Sequence, residues 1–172
     1  MKVDWLERTL CLVKPDAVRR GLVGQILARF EMAGFKIVGM KLVQSDQKHA
    51  EQHYLYDDIA VRHGEKVWKN LIHFLVSGPV LAFVLEGVQA VAAVRKICGS
   101  TEPASSAPGT IRGDLCHQSY DAASGSGSSV RNVIHASADP QDASREIGVW
   151  FNSQELLEYR RDDQSEHFLD QI

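Results

Sequence analysis

The chain has no excess of charge of either sign. Nineteen lysines and arginines stand against 22 aspartates and glutamates, for a net charge of −3. That balance, with a pI near 6.1, excludes a surface given over to duplex nucleic acid, which calls for a basic stripe. Long apolar runs are also missing. The longest, Val80 to Leu85, falls far short of the roughly 20 residues of a membrane span. Cysteine is scarce: Cys11, Cys98 and Cys116 are odd in number and form no CxxC pair, which excludes a disulfide framework or a zinc site. The first eight residues are charged and hold no signal-peptide core. Apolar residues, at 44%, are too plentiful for a disordered chain. These absences leave a cytoplasmic protein of one 172-residue domain.

Short apolar segments then alternate with helical spacing. Thr9 to Val13 is unbroken, as in a strand buried on both faces, and Lys14-Pro15-Asp16 ends it. Leu22, Val23, Ile26, Leu27 and Phe30 mark a helix closed by Gly34, and Phe35 to Val43 alternates as a strand. Lys48 to Tyr56 reads as a polar helix, Asp57 to Glu65 as a charged loop, and Val67 to Val76 as an amphipathic helix. Val80 to Leu85 reads as a third strand and Gln89 to Cys98 as a helix. From Gly99 to Ser129 periodicity disappears. The serine–glycine end of that stretch, Tyr120 to Ser129, reads as a solvated loop that buries almost nothing. A strand over Val130 to His135, a helix over Ala143 to Phe151 and a short polar helix over Asn152 to Tyr159 complete the pattern. That order predicts an α+β fold of the ferredoxin-like split β-α-β type. Its four-stranded antiparallel sheet would be covered by helices on one face, with a long irregular loop before the last strand.

No GxxxxGK[ST] occurs, and Gly125 and Gly127 lack the strand–turn–helix context of a dinucleotide fingerprint. Phosphates would therefore have to be held by side-chain cations, for which Lys14, Arg95 and Arg112 are candidates. His135 ends an apolar strand, with the Ser137 hydroxyl two residues on and the Glu146 carboxylate in the next helix. A histidine nucleophile needs a neutral ring with one nitrogen held by an acceptor, and Glu146 suits that role, with Ser137 bonding the orienter. For a lone histidine, the residues by themselves favour a half-buried ring satisfied by a backbone carbonyl. His49, His53, His63, His73, His117 and His167 read as surface residues.

Several segments together resemble nucleoside diphosphate kinases. They are Arg8 to Asp16, Arg20 to Gly24, His53-Tyr54, Ser77 to Pro79, Pro108 to Asp114 and Asn132 to Ser137, in that order. The resemblance runs from about residue 7 to 159, leaving residues 160–172 as a polar tail. It implies a ferredoxin-like fold and a ping-pong transfer of the γ-phosphate of a nucleoside triphosphate to a nucleoside diphosphate. His135 would be the phosphorylated nucleophile. Lys14 and Asn132 would meet the ribose and leaving oxygen, Arg95, Thr101 and Arg112 would hold phosphates, and Tyr54 would line the site. Ser137 and Glu146 would orient the histidine. No residue is assigned to a metal; Mg²⁺ is expected on the nucleotide phosphates. The resemblance also implies a homo-oligomer, with no membrane and no specific nucleic acid as partner.

The chain departs from the family pattern in four places, one of them a longer connection over Asp57 to Glu65. Val67-Trp68 stands where an aromatic pair is usual, so Val67, Trp68 and Leu71 are the candidates for holding the base. The segment between Asp114 and Asn132 is longer than usual, and Ala138 replaces an aspartate that is usual soon after the histidine. These changes bear on base affinity and assembly rather than on phosphate handling. A second reading is a catalytically weak nucleotide-binding regulator that acts through protein contacts.

Overall fold

The computed structural model describes residues 5–167; residues 1–4 and the last five of the polar tail lie outside them. Strand β1 (Leu6–Val13) leads into helix α1 (Pro15–Arg19) and helix α2 (Val23–Met32). Pro15 sits at the first helical position, where its missing N–H costs nothing. Strand β2 (Lys36–Val43) follows, then helices α3 (Gln47–His53), α4 (Tyr56–His63) and α5 (Glu65–Val76). Strand β3 (Val80–Val88) and helix α6 (Ala90–Cys98) come next. Short helices α7 (Ile111–Leu115) and α8 (Tyr120–Gly125), strand β4 (Ile134–Ala136), helix α9 (Pro140–Trp150) and a last turn, α10 (Gln164–His167), complete the chain.

The sheet order is β2-β3-β1-β4 with every pair antiparallel, which is the split β-α-β topology expected. The helices cover both faces rather than one. Cys11 and Val13 of β1 pack with Phe83 against α2 and α6, through Ile26, Phe30 and Val94. Leu10 and Leu12 pack on the opposite side against α3, α5 and α9, through Ala50, Leu75 and Trp150. All four strand residues are fully buried, so both parities of β1 need an apolar partner. The unbroken apolar run of β1 already carried that requirement.

Three local expectations are corrected. Residues 57–65 form most of α4 instead of a loop: Asp57 and Asp58 lie in its first turn and Arg62 and His63 in its last, where each sign favours the helix dipole. The serine–glycine stretch contains α8, because its serines cap their own backbone. Ser119 accepts the Ala122 N–H and Ser126 donates to the Ala123 carbonyl, and Ala123 is buried. Residues 152–159 hold only a single 3₁₀ turn, closed by a capping box between Asn152 and Glu155.

Candidate active site

The site forms where β1 and β4 end. Lys14 follows the last residue of β1, and its backbone N–H donates to the Val133 carbonyl at 2.9 Å. Val133 has φ +60°, and the Ile134 N–H donates back to the Asn132 carbonyl at 2.7 Å, closing a γ-turn. This turn shortens β4 to three residues instead of the six expected. It leaves Asn132 beside Lys14, whose Nζ donates to Asn132 Oδ1 at 2.8 Å. The Asn132 amide N–H donates in turn to the Thr101 carbonyl at 2.8 Å.

On β4, His135 pairs with Leu12 and so shares the face covered by α3 and α9. Its Nε2 lies 2.9 Å from Glu146 Oε2, and the Ser137 hydroxyl donates to that same oxygen at 2.6 Å. Burial pushes the Glu146 carboxyl upward. The charges and hydrogen bonds of His135, His53 and Ser137 outweigh it and hold the pKa at about 2. An ionised carboxylate only accepts, so Nε2 carries the ring proton and Nδ1 keeps its lone pair. Ser137 is fully buried, and its hydroxyl is spent on Glu146.

Two cations stand nearby without a counter-charge. Lys14 and Arg112 are 5% and 7% exposed, and among the described residues neither makes a salt bridge. Burial, and then the charge of Arg112, lowers the Lys14 pKa to about 8 against the pull of Asp16. Arg112 Nε donates to the Asn132 carbonyl at 3.3 Å, Nη1 to Gly99 at 2.7 Å and Nη2 to Ile134 at 2.7 Å. Three of its five N–H groups therefore clip the loop to β4, and two remain. Buried charges left unpaired are costly, and an anion entering between them removes that cost.

A cavity of about 670 Å³ opens on this cluster, a volume ordinary for small-molecule sites. It is lined by Lys14, Tyr54, Arg95, Arg112, Asn132 and His135, and also by Thr101, Val67 and Leu71. Tyr54 is buried, and that burial pushes its phenol pKa up, so it remains a donor. Trp68 is not among the lining residues. Its indole N–H donates to the Tyr54 carbonyl at 2.7 Å and its ring meets Tyr56 edge-on, so it braces the wall and leaves Val67 and Leu71 facing the cavity.

Sequence reasoning missed four contributors. His53, read as a surface residue, is 1% exposed. Its ring centre lies 4.5 Å from that of His135, and its Nδ1 accepts the Trp150 indole N–H at 3.2 Å. Burial first, and then the charge of His135, push its pKa well below the ordinary value and keep it neutral. Arg145 donates to the Gln52 and His53 carbonyls at 3.2 and 3.3 Å, tying α9 to α3 beneath the site. Asn70 Nδ2 donates to the Gly127 carbonyl at 3.2 Å, closing the mouth between α5 and the serine–glycine segment. Tyr120 lines the cavity from the start of α8. The aromatic next to Tyr54 and the charged pair Arg145-Glu146 were signals for the first two; the others depend on how the long segment folds.

Among the described residues, His53, His135 and Glu146 form a group with metal-ligand spacing. Trp150 already occupies His53 Nδ1 and Glu146 already occupies His135 Nε2, so the group is committed to hydrogen bonds. No helix among the described residues is long and apolar enough to cross a membrane.

Comparison with known proteins agrees with this geometry. Residues 7–156 match the family described as nucleoside diphosphate kinase. The chain is 52% identical over 163 residues to the nucleoside diphosphate kinase of Borreliella burgdorferi, covering 95% of this chain and 98% of that one. It is 48% identical over 156 residues to the enzyme of Pyrococcus horikoshii, covering 90% and 91% of the two chains. A Borrelia burgdorferi nucleoside-diphosphate kinase structure, a transition state mimic with bound vanadate and ADP, superposes with a TM-score of 0.93 at 52% identity over 95% and 97% of the chains. An NDP kinase from Pyrobaculum aerophilum superposes with a TM-score of 0.81 at 38% identity, covering 89% of this chain and all of that one. With the match spanning nearly the whole chain, and with an oriented histidine beside two unpaired cations, the protein belongs to the nucleoside diphosphate kinase family.

Proposed function

We propose that His135 Nδ1 attacks the γ-phosphorus of a bound nucleoside triphosphate. The Nδ1–P bond forms as the P–O bond to the β-phosphate breaks, and the nucleoside diphosphate leaves with that electron pair. A second nucleoside diphosphate then takes the phosphoryl group back through the same site, which makes the kinetics ping-pong. Lys14 and the two free N–H groups of Arg112 neutralise the charge that develops on the transferring group and leaving oxygen. Arg95 and Thr101 hold the remaining phosphate oxygens, Asn132 and Tyr54 supply donors, and Val67 and Leu71 offer an aliphatic surface to the base. Glu146 holds the ring proton on Nε2 and stabilises the charge that the ring acquires, while Ser137 fixes Glu146.

A divalent cation, Mg²⁺ on this reading, would be carried on the nucleotide phosphates and would supply charge neutralisation beside Lys14, Arg95 and Arg112. The donor set fits that arrangement, since the phosphate side of the cavity presents Lys14, Arg95 and Arg112 among the described residues. The exposed Met40 and Leu42 of edge strand β2 support assembly into a homo-oligomer, because exposed apolar edges invite pairing. The three cysteines are free thiols, which supports a reducing, cytoplasmic location.

The observation that carries this reading is the pair of buried cations without counter-charge beside an imidazole whose free nitrogen is defined. A regulator that only bound nucleotide would have no use for that orientation. The test is transfer of label from γ-labelled ATP to GDP. Labelled GTP with parallel-line initial velocities is expected, whereas binding without transfer would leave only the regulatory reading.

A further inference from the structure

Tyr120 stands at the head of the segment that the resemblance does not explain. Nothing in the phosphate-handling set requires it. An aromatic side chain on a solvated loop would pack wherever it found cover, yet this one is fixed at the cavity. Its own N–H donates to Glu102 Oε1 at 2.8 Å, and Ser119 caps the helix it begins. Upstream, the Ala104 N–H donates to the Gln118 carbonyl at 3.0 Å and the Arg131 N–H to Gln118 Oε1 at 2.8 Å. Four hydrogen bonds, counting the one from Asn70 to Gly127, therefore hold the two ends of this short segment.

The side chain remains 49% exposed, and it lines the same cavity as Lys14, Arg95, Thr101 and Arg112. An aromatic ring held half in water at a cationic cavity wall has polar surface to offer a ligand. Thr101, whose hydroxyl is assigned to phosphate, lines the same cavity wall as Tyr120, close enough to act on the phenol. Burial, and then the Glu102 carboxylate, push its pKa up against Arg112 and Thr101, and the phenol keeps its proton.

We propose that Tyr120 is a further nucleotide-binding residue of this site, its hydroxyl donating to the phosphate chain of a bound nucleoside di- or triphosphate alongside Thr101. The proposal rests on the kinase reading of the cavity. An ionised phosphate oxygen is a strong acceptor for the Tyr120 hydroxyl, and the bond to it is charge-assisted. The contact is made equally to donor and acceptor nucleotides and is not at the reacting atom. It therefore belongs to binding more than to the chemical step.

The experiment compares Tyr120→Phe and Tyr120→Ala with the wild-type full chain. It reads KM and kcat for ATP and GDP, and the shift in thermal midpoint produced by ADP. Loss of one hydrogen bond to a charged group is expected to raise KM about 10- to 150-fold in Tyr120→Phe, with kcat within about twofold. The ADP-induced midpoint shift should shrink, while the ligand-free midpoint stays at the wild-type value. Tyr120→Ala should weaken binding at least as much. Unchanged KM and an unchanged ADP-induced shift in Tyr120→Phe would overturn the proposal. So would a rise in KM matched by a fall in the ligand-free midpoint, which a merely structural role would give. The ADP shift reads the contact whether or not phosphoryl transfer occurs, so the two readings fail separately.

Discussion

Asp16 Oδ2 accepts the backbone N–H of Val133, 117 positions along the chain, at 3.2 Å. The backbone N–H of Lys14 takes the Val133 carbonyl at 2.9 Å. The residue between these bonds is β-branched and sits at φ +60°, a conformation that costs on the order of 1–3 kcal/mol. The turn survives because the end of β1 grips both its polar groups. What it secures is the placing of Asn132 against Lys14, with His135 three residues beyond.

Asp16→Ala should therefore damage both stability and catalysis. It leaves the buried Val133 N–H without its acceptor, at a cost of about 1–3 kcal/mol. Relaxation of the turn would also move Asn132 and His135, lowering kcat/KM. Asp16→Asn retains an acceptor oxygen and should recover most of the loss. Urea denaturation and steady-state kinetics on the two variants check this.

Glu146→Gln should separate orientation from binding. The amide can still accept from His135 Nε2, but it no longer supplies the negative charge that stabilises the ring once Nδ1 carries phosphate. We expect kcat to fall by roughly one to two orders of magnitude, with KM for nucleotides changing little. Single-turnover phosphorylation by ATP is the direct measurement.

Arg112 differs from an ordinary phosphate-binding arginine in having three carbonyls to hold. Arg112→Lys keeps a positive charge but replaces a planar fork with a point donor that cannot reach Gly99, Asn132 and Ile134 together. It should lower stability by about 2–4 kcal/mol and lower kcat/KM nearly as much as Arg112→Ala. Rescue by lysine would show that charge alone matters.

The pH dependence has a definite sign at each end. The folded-state pKa of Lys14, about 8, lies below its unfolded value of 10.5. Without ligand, the cost of burying its charge is therefore present below pH 8 and is relieved as pH rises to 10.5. Nucleotide binding follows the opposite course, because the cation disappears over that range. Affinity for ADP should fall above pH 8, approaching about tenfold per pH unit. On the acid side, His53 is held neutral, so stability declines as pH drops below about 6.5 and the unfolded chain takes up a proton that the fold refuses. Glu146 adds a further loss between its unfolded value of 4.5 and about 2. Thermal midpoints with and without ADP, from about pH 2 to about pH 11 in unit steps, measure these effects.

The parts of the molecule legible in the sequence were those governed by local rules. The apolar run of β1, the proline after Lys14 and the periodicity of α2, α5, α6 and α9 placed the sheet and most of the helices. The motif around His135 pointed to the grouping of His135 with Glu146 and Ser137, which the structure brings together. What stayed hidden depends on long-range partners. His53 resembles any polar helix residue until Trp150 and His135 surround it. The role of Arg112 as a clip requires knowing which carbonyls end beside it. The serine–glycine stretch has the composition of a linker, and it folds because Glu102, Asn70 and Arg131 hold it from outside.

The most direct test of phosphoryl transfer through His135 is to incubate the protein with γ-labelled ATP, then divide the labelled protein between acid and base. Label that is lost in acid and kept in base, and absent from His135→Gln while that variant still binds ADP, is the expected result. Acid-stable label, or label persisting in His135→Gln, would contradict it and assign the phosphate to another residue.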